Sequence, residues 1–80
     1  MTVTLRLFAS YAESLGVPSL VLNLEQGSTV DDVMKAISTM PGSSRLPPNP
    51  LVAVNHSYAK NSRILVDGDE VALIPPVAGG

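Results

Sequence analysis

The run Thr29-Val30-Asp31-Asp32 is the firmest local signal in the chain. A threonine side chain at an N-cap accepts a hydrogen bond from a first-turn amide, and two acids just inside the helix meet the positive end of its dipole. Val30, Val33, Met34 and Ile37 then recur at i, i+3, i+4 and i+7, with Asp31, Asp32 and Lys35 off that line. The helix therefore carries a single apolar stripe, suited to lying across a sheet, and it should run to the neighbourhood of Met40-Pro41-Gly42.

The sheet is legible on either side. Residues 2–8 alternate, with Val3, Leu5 and Leu7 on one face, and Thr2, Thr4, Arg6 and Phe8 on the other. A short helix over Ser10–Leu15 is stopped by Gly16 with Pro18 beyond it. Leu20, Leu22 and Leu24 alternate with Val21 and Asn23 as a second strand. Four of the seven prolines fall within residues 41–50, which read as a long surface loop. Leu51-Val52-Ala53-Val54-Asn55 is nearly all apolar, the pattern of an interior strand buried on both faces. A short edge near Tyr58-Ala59, the lead-in Ile64-Leu65-Val66, a turn at Asp67-Gly68-Asp69 and a last strand Glu70–Ile74 complete the order. Strands around one main helix make an α+β unit with a mixed sheet. The expected division is a domain over residues 1–74 and a flexible tail over 75–80.

Eighty residues allow one small domain, which favours a carrier or subunit over a free-standing enzyme. With 45% apolar and 15% charged residues, the chain can fill a core, and that core is aliphatic because Phe8, Tyr11 and Tyr58 are the only aromatics. A net charge of −2 gives no electrostatic drive toward nucleic acid or an anionic membrane. The absence of cysteine removes disulfides, thiolate metal sites and a Cys nucleophile. The opening residues have no long apolar run, so neither a secretory signal nor a membrane span is expected, and the cytoplasm is the expected location.

The unusual feature is the ending, Pro75-Pro76-Val77-Ala78-Gly79-Gly80. Two prolines remove backbone donors and hold the chain extended, so the strand ladder must stop and the tail must leave the body. The four residues after Pro76 reach on the order of 13 Å when extended. Gly79 and Gly80 carry no Cβ and can enter a channel too narrow for other residues. A carboxylate is expected at the tip.

Taken together, the turn Asp67-Gly68-Asp69-Glu70, the strand Val71-Ala72-Leu73-Ile74 and this tail resemble the molybdopterin synthase small-subunit (sulfur-carrier) family, within the MoaD/ThiS group of ubiquitin-like proteins. Phe8-Ala9, the capped helix at Thr29-Val30-Asp31 and Ala53-Val54-Asn55 extend the resemblance along the chain. It implies a ubiquitin-like β-grasp fold. It further implies that Gly80 is the reactive residue: its carboxylate is adenylated by an ATP-using, ubiquitin-activating-like adenylyltransferase and converted by a sulfur donor to a thiocarboxylate. Gly79, Ala78, Val77, Pro76 and Pro75 would be the inserted tail. No cofactor is held permanently; AMP and then the thiocarboxylate are transient on Gly80. The catalytic residues are implied on a large subunit, in a heterotetramer of two small and two large chains, where the thiocarboxylate supplies sulfur for the molybdopterin dithiolene of the molybdenum cofactor. The chain is then not an enzyme by itself. A sulfur carrier for thiamine or tRNA thiolation, and a ubiquitin-like protein modifier, share the same activation step.

Phe8, Tyr58 and Ile74 form a second candidate group. Phe8 and Ile74 fall out of phase with the core-facing residues, and matching positions in the family supply an apolar patch to the large subunit and the activating enzyme. Ordinary edge packing is the alternative, and Ile74 replaces a frequent aromatic. Pro75 and Pro76 could equally serve only to end the strand. Asp67, Asp69 and Glu70 read as solvated turn residues rather than a metal site, and no metal is expected. His56 reads as a turn histidine with no carboxylate fixed beside it by spacing.

Overall fold

The computed structural model describes residues 1–76. Its elements are β1 (Thr2–Leu7), α1 (Ser10–Leu15), β2 (Ser19–Asn23), α2 (Val30–Ile37), a 3₁₀ turn (Ser43–Arg45), β3 (Leu51–Val54), β4 (Ser57–Tyr58) and β5 (Glu70–Ile74). The strands form one five-stranded sheet in the order β2-β1-β5-β3-β4. The central β1–β5 pair is parallel and every other pair is antiparallel, so the sheet is mixed, as the strand order in the sequence implied.

Alternation decides which side of the sheet meets α2. Val3, Leu5 and Leu7 of β1, Val71 and Leu73 of β5, and Val52 and Val54 of β3 are buried against Val30, Val33 and Ile37, with Tyr11, Leu22 and Leu65 completing the core. Thr29 caps α2 as its sequence indicated. Its side chain accepts from the Asp32 amide at 3.4 Å, and its own amide donates to the Asp32 carboxylate at 2.8 Å. This reciprocal pair is a capping box with Asp in the third helical position. The amides of Val30 and Asp31 donate instead to the carbonyls of Arg63 and Asn61. The coil after β4 thus supplies acceptors that a helix start lacks internally.

Three expectations from the sequence need correction, in whole or in part. α2 ends at Ile37, short of Met40, because the Thr39 and Met40 amides bond three residues back, to Ala36 and Ile37, which tightens the last turn before Pro41. The 41–50 segment is a surface loop, as expected, and it is strapped onto α1. The buried Tyr11 hydroxyl donates to the Pro47 carbonyl at 2.8 Å, Ser14 Oγ donates to the Arg45 carbonyl, and Gly42 lies so close to the Ser14 carbonyl that a Cβ would overlap it. The expectation that β3 is buried on both faces holds in part: Val52 and Val54 on the helix side and Ala53 on the other are buried, while Leu51 at its start is exposed.

The last correction concerns Asp69. It is not a solvated turn residue: it is 5% exposed, and its carboxylate accepts from Asn55 Nδ2 and from the Val66 amide, each at 2.8 Å. Asp67 does remain at the surface, where its carboxylate accepts from the Thr2 amide at 2.7 Å and the Thr2 hydroxyl at 3.2 Å.

Candidate functional site: an open sheet face at the root of the tail

The same alternation that buries one side of the sheet leaves the other side uncovered. Arg6, Ala72, Ala53 and Tyr58 stand directly beside one another across β1, β5, β3 and β4. The middle of this row is two alanines and its ends are large side chains, so the surface is a trough. Phe8 and Ile74 border it on the side where β5 ends, and His56 and Glu70 border it on the other. The resulting groove has a volume of about 380 Å³.

Phe8, Tyr58 and Ile74, which the sequence offered as a group, are therefore brought to one groove. Phe8 is 42% exposed and Tyr58 75%, while Ile74 is half-buried. Two aromatic rings this open on so small a domain are the exposed apolar surface that marks docking sites. Arg6, Ala53 and Ala72 were not singled out in the sequence. Arg6 carried a signal, as the out-of-phase residue of an alternating strand, whereas Ala53 and Ala72 meet only through the β3–β5 pairing, which no local pattern announces.

Local backbone geometry sets the groove's two ends. At one, Ala9 follows Phe8 with φ 48° and ψ −122°, and the Tyr11 amide donates back to the Phe8 carbonyl at 3.1 Å. This is the geometry of a type II′ turn, whose first central position favours glycine, and it ends β1 just past the ring. At the other end, Asn55 and His56 form the two-residue connection between β3 and β4, both with positive φ, as in a type I′ hairpin. That turn projects the imidazole over the sheet.

The polar rim of the groove is loosely paired. Glu70 lies 3.8 Å from Arg6 and 3.9 Å from His56, with all three side chains partly or largely exposed. A carboxylate does stand beside His56, brought there by the β3–β5 pairing rather than by sequence spacing. The Arg6 guanidinium also lies 5.8 Å from the centre of the Phe8 ring, within cation–π range. Contacts this long and exposed contribute little stability, which leaves the charges available to a partner.

The tail begins at the edge of this face. The last rung between β1 and β5 is the Phe8 amide donating to the Leu73 carbonyl at 3.3 Å. Pro75 and Pro76 lie beyond the ladder, Pro75 half-buried and Pro76 exposed. Val77, Ala78, Gly79 and Gly80 lie outside the described residues. Among the described residues no three His, Asp or Glu side chains are grouped to hold a metal ion. No described helix is long and apolar enough to cross a membrane.

Residues 5–80 match the model of the ThiS family. The chain is 35% identical over 75 residues to the molybdopterin synthase sulfur carrier subunit of Arabidopsis thaliana, covering 92% of this chain and 78% of that protein. It is 32% identical to small archaeal modifier protein 3 of Haloferax volcanii, across the full length of both. Among solved structures, small archaeal modifier protein 1 of Haloferax volcanii superposes with a TM-score of 0.83 at 29% identity, covering 95% of this chain and 98% of that one. The mixed sheet on one helix is thus the ubiquitin-like β-grasp, and with nearly the whole length matched the chain belongs to the ThiS family.

Proposed function

We propose that this protein is the sulfur-carrier subunit of a molybdopterin synthase and that its reactive group is the Gly80 carboxylate. The observation that carries the reading is the position of the groove. An apolar trough bordered by Phe8, Ile74 and Tyr58 opens where the chain leaves β5 for Pro75-Pro76-Val77-Ala78-Gly79-Gly80. A partner docked on that face lies beside Pro75 and Pro76, where the tail begins. The 35% identity to a molybdopterin synthase sulfur carrier subunit supports the same assignment.

The chemistry follows from the terminus. A carboxylate with a pKa of about 3.5 is ionised at neutral pH and is a poor electrophile. Attack on the α-phosphate of ATP, with loss of pyrophosphate, makes an acyl adenylate. Sulfur supplied at the sulfide level, as HS⁻, then forms the C–S bond as the C–O bond to AMP breaks, leaving a thiocarboxylate, AMP and a proton. An ATP-using adenylyltransferase performs the activation, and a large subunit holds the groups that use the sulfur. The groove residues supply docking, and Gly79 lets the backbone pass through a narrow channel. This chain acts as a protein cosubstrate in the cytoplasm.

A second reading, protein modification, is favoured by the likeness to archaeal modifier proteins. Activation is common to both, and the acceptor separates them. Removing Gly80 should abolish sulfur loading and leave the melting temperature unchanged, because a terminal residue contributes little stability. A truncated chain that still supports dithiolene formation contradicts the proposal. Covalent adducts to lysines of other proteins, without dithiolene formation, favour the modifier.

A further inference from the structure

We infer that β2 is a self-pairing edge, through which two copies of this chain associate as a weak antiparallel dimer that leaves the groove and tail free. The sheet has two edges, and they differ. β4 spans only Ser57–Tyr58, whereas β2 spans Ser19–Asn23 and pairs with β1 in an unbroken register of five residues.

The ladder fixes which backbone groups of β2 are unused. Met1 and Leu24 exchange both hydrogen bonds, and the Leu7 amide donates to the Pro18 carbonyl. Bonded pairs alternate along an antiparallel ladder, so Leu22 and Leu20 bond to β1 while Ser19, Val21 and Asn23 direct their amides and carbonyls outward. None of these outward groups has a backbone or side-chain partner among the described residues. The usual protections of such an edge are missing: residues 19–23 contain no lysine, proline or glycine and no bulge, and Val21 is 62% exposed.

The occupant is read from the sequence of the strand. Ser19-Leu20-Val21-Leu22-Asn23 is nearly its own reverse. An antiparallel copy centred on Val21 sets Leu20 beside Leu22 of the second copy on the helix side. On the open side it sets Val21 beside its counterpart and Ser19 beside Asn23. A peptide from an unrelated partner needs no such symmetry. Charge agrees, because no residue between Glu13 and Glu25 is charged, so the chain's net negative charge is absent from the contact. Five residues of strand bury far less than the roughly 1,200–2,000 Å² of a stable interface, so the dimer is concentration-dependent rather than obligate. β2 is separated from β5 by β1, which keeps the tail exit clear of the contact.

The experiment is sedimentation of the full chain from about 20 μM to about 1 mM, with amide exchange read residue by residue at both ends of that range. The expected result is a monomer that dimerises with concentration, and new protection at Val21 and Asn23 but not at Leu20 and Leu22, which are already bonded to β1. Val21→Lys opposes two ammonium groups across the two-fold and should weaken the dimer roughly tenfold or more, with unchanged thermal unfolding. A chain that stays monomeric at the highest concentration overturns the inference. So does a dimer indifferent to Val21→Lys, or one that gains its protection on the groove face.

Discussion

Asn55 and Asp69 replace a missing rung of the sheet. The Asn55 amide nitrogen Nδ2 donates to Asp69 Oδ1 at 2.8 Å, Asn55 Oδ1 accepts from the Glu70 amide at 2.9 Å, and the Asn55 amide donates to the Glu70 carbonyl at 2.8 Å. β3 ends one residue earlier, so these bonds hold the start of β5 against the β3–β4 turn. They also fix Glu70 and His56 at the rim of the groove. Replacing the buried Asp69 by Ala removes the acceptor of both Asn55 Nδ2 and the Val66 amide, whose residues are exposed, so that water takes up part of the loss. Stability should fall by about 1–2 kcal/mol, measured by urea unfolding with an unchanged m-value.

Ala9 occupies a backbone conformation that glycine adopts at lower cost. Ala9→Gly should therefore stabilise the fold by about 1 kcal/mol, the strain relieved outweighing the added chain entropy. A lower melting temperature in the variant would show that the turn after Phe8 is not strained.

Gly42 is the opposite case. With φ at 89° and the Ser14 carbonyl where a Cβ would go, Gly42→Ala must displace the strap from α1. The expected loss is about 2 kcal/mol or more, together with faster exchange of the amides around Ser43–Arg45.

The acid limb of stability should report two surface carboxylates. Asp32 is held below its ordinary value of 3.8, first by the Thr29 amide and then by the Thr29 hydroxyl. Asp67 is held below the same value, first by the Thr2 amide and then by the Thr2 hydroxyl. A folded-state value below the unfolded one stabilises the protein above the unfolded value. That contribution is lost as pH falls through the folded value. Melting temperature should thus be flat near neutrality and fall below about pH 4. Asp32→Asn and Asp67→Asn should each flatten that fall, and a pH profile identical to the parent's would remove these two groups from the account.

The groove should be separable from the fold. Phe8→Ser and Tyr58→Ser alter exposed side chains, so melting temperature should move little, while on the proposed function affinity for a large subunit and an activating enzyme should drop by roughly tenfold or more for each. Titration calorimetry with each partner measures this directly. Unchanged affinity in both variants would show that the face is ordinary surface.

Much of this was readable from the chain because it rested on local rules. Thr29 announced α2 through its cap, and the alternation of Val3, Leu5 and Leu7 against Phe8 placed that ring on the open side before any pairing was known. What could not be read depended on partners distant in sequence. Asp69 looked like a turn residue until Asn55, fourteen positions earlier, was brought beside it. Glu70 and His56 met for the same reason. The 41–50 strap was hidden because its anchors, Tyr11 and Ser14, belong to another element. Ala53 and Ala72 carry no chemistry of their own, and only their pairing across β3 and β5 makes a trough.

Whether Gly80 carries sulfur is decided by the intact mass of the chain after incubation with ATP, its activating enzyme and a sulfur donor. Exchange of oxygen for sulfur adds about 16 Da, the same nominal shift as oxidation of Met1, Met34 or Met40, so the product must also be alkylated and the adduct located by fragmentation. The expected product is an alkylated thiocarboxylate at Gly80. A Gly80 carboxylate left unmodified under conditions where the same enzyme loads another carrier would contradict it.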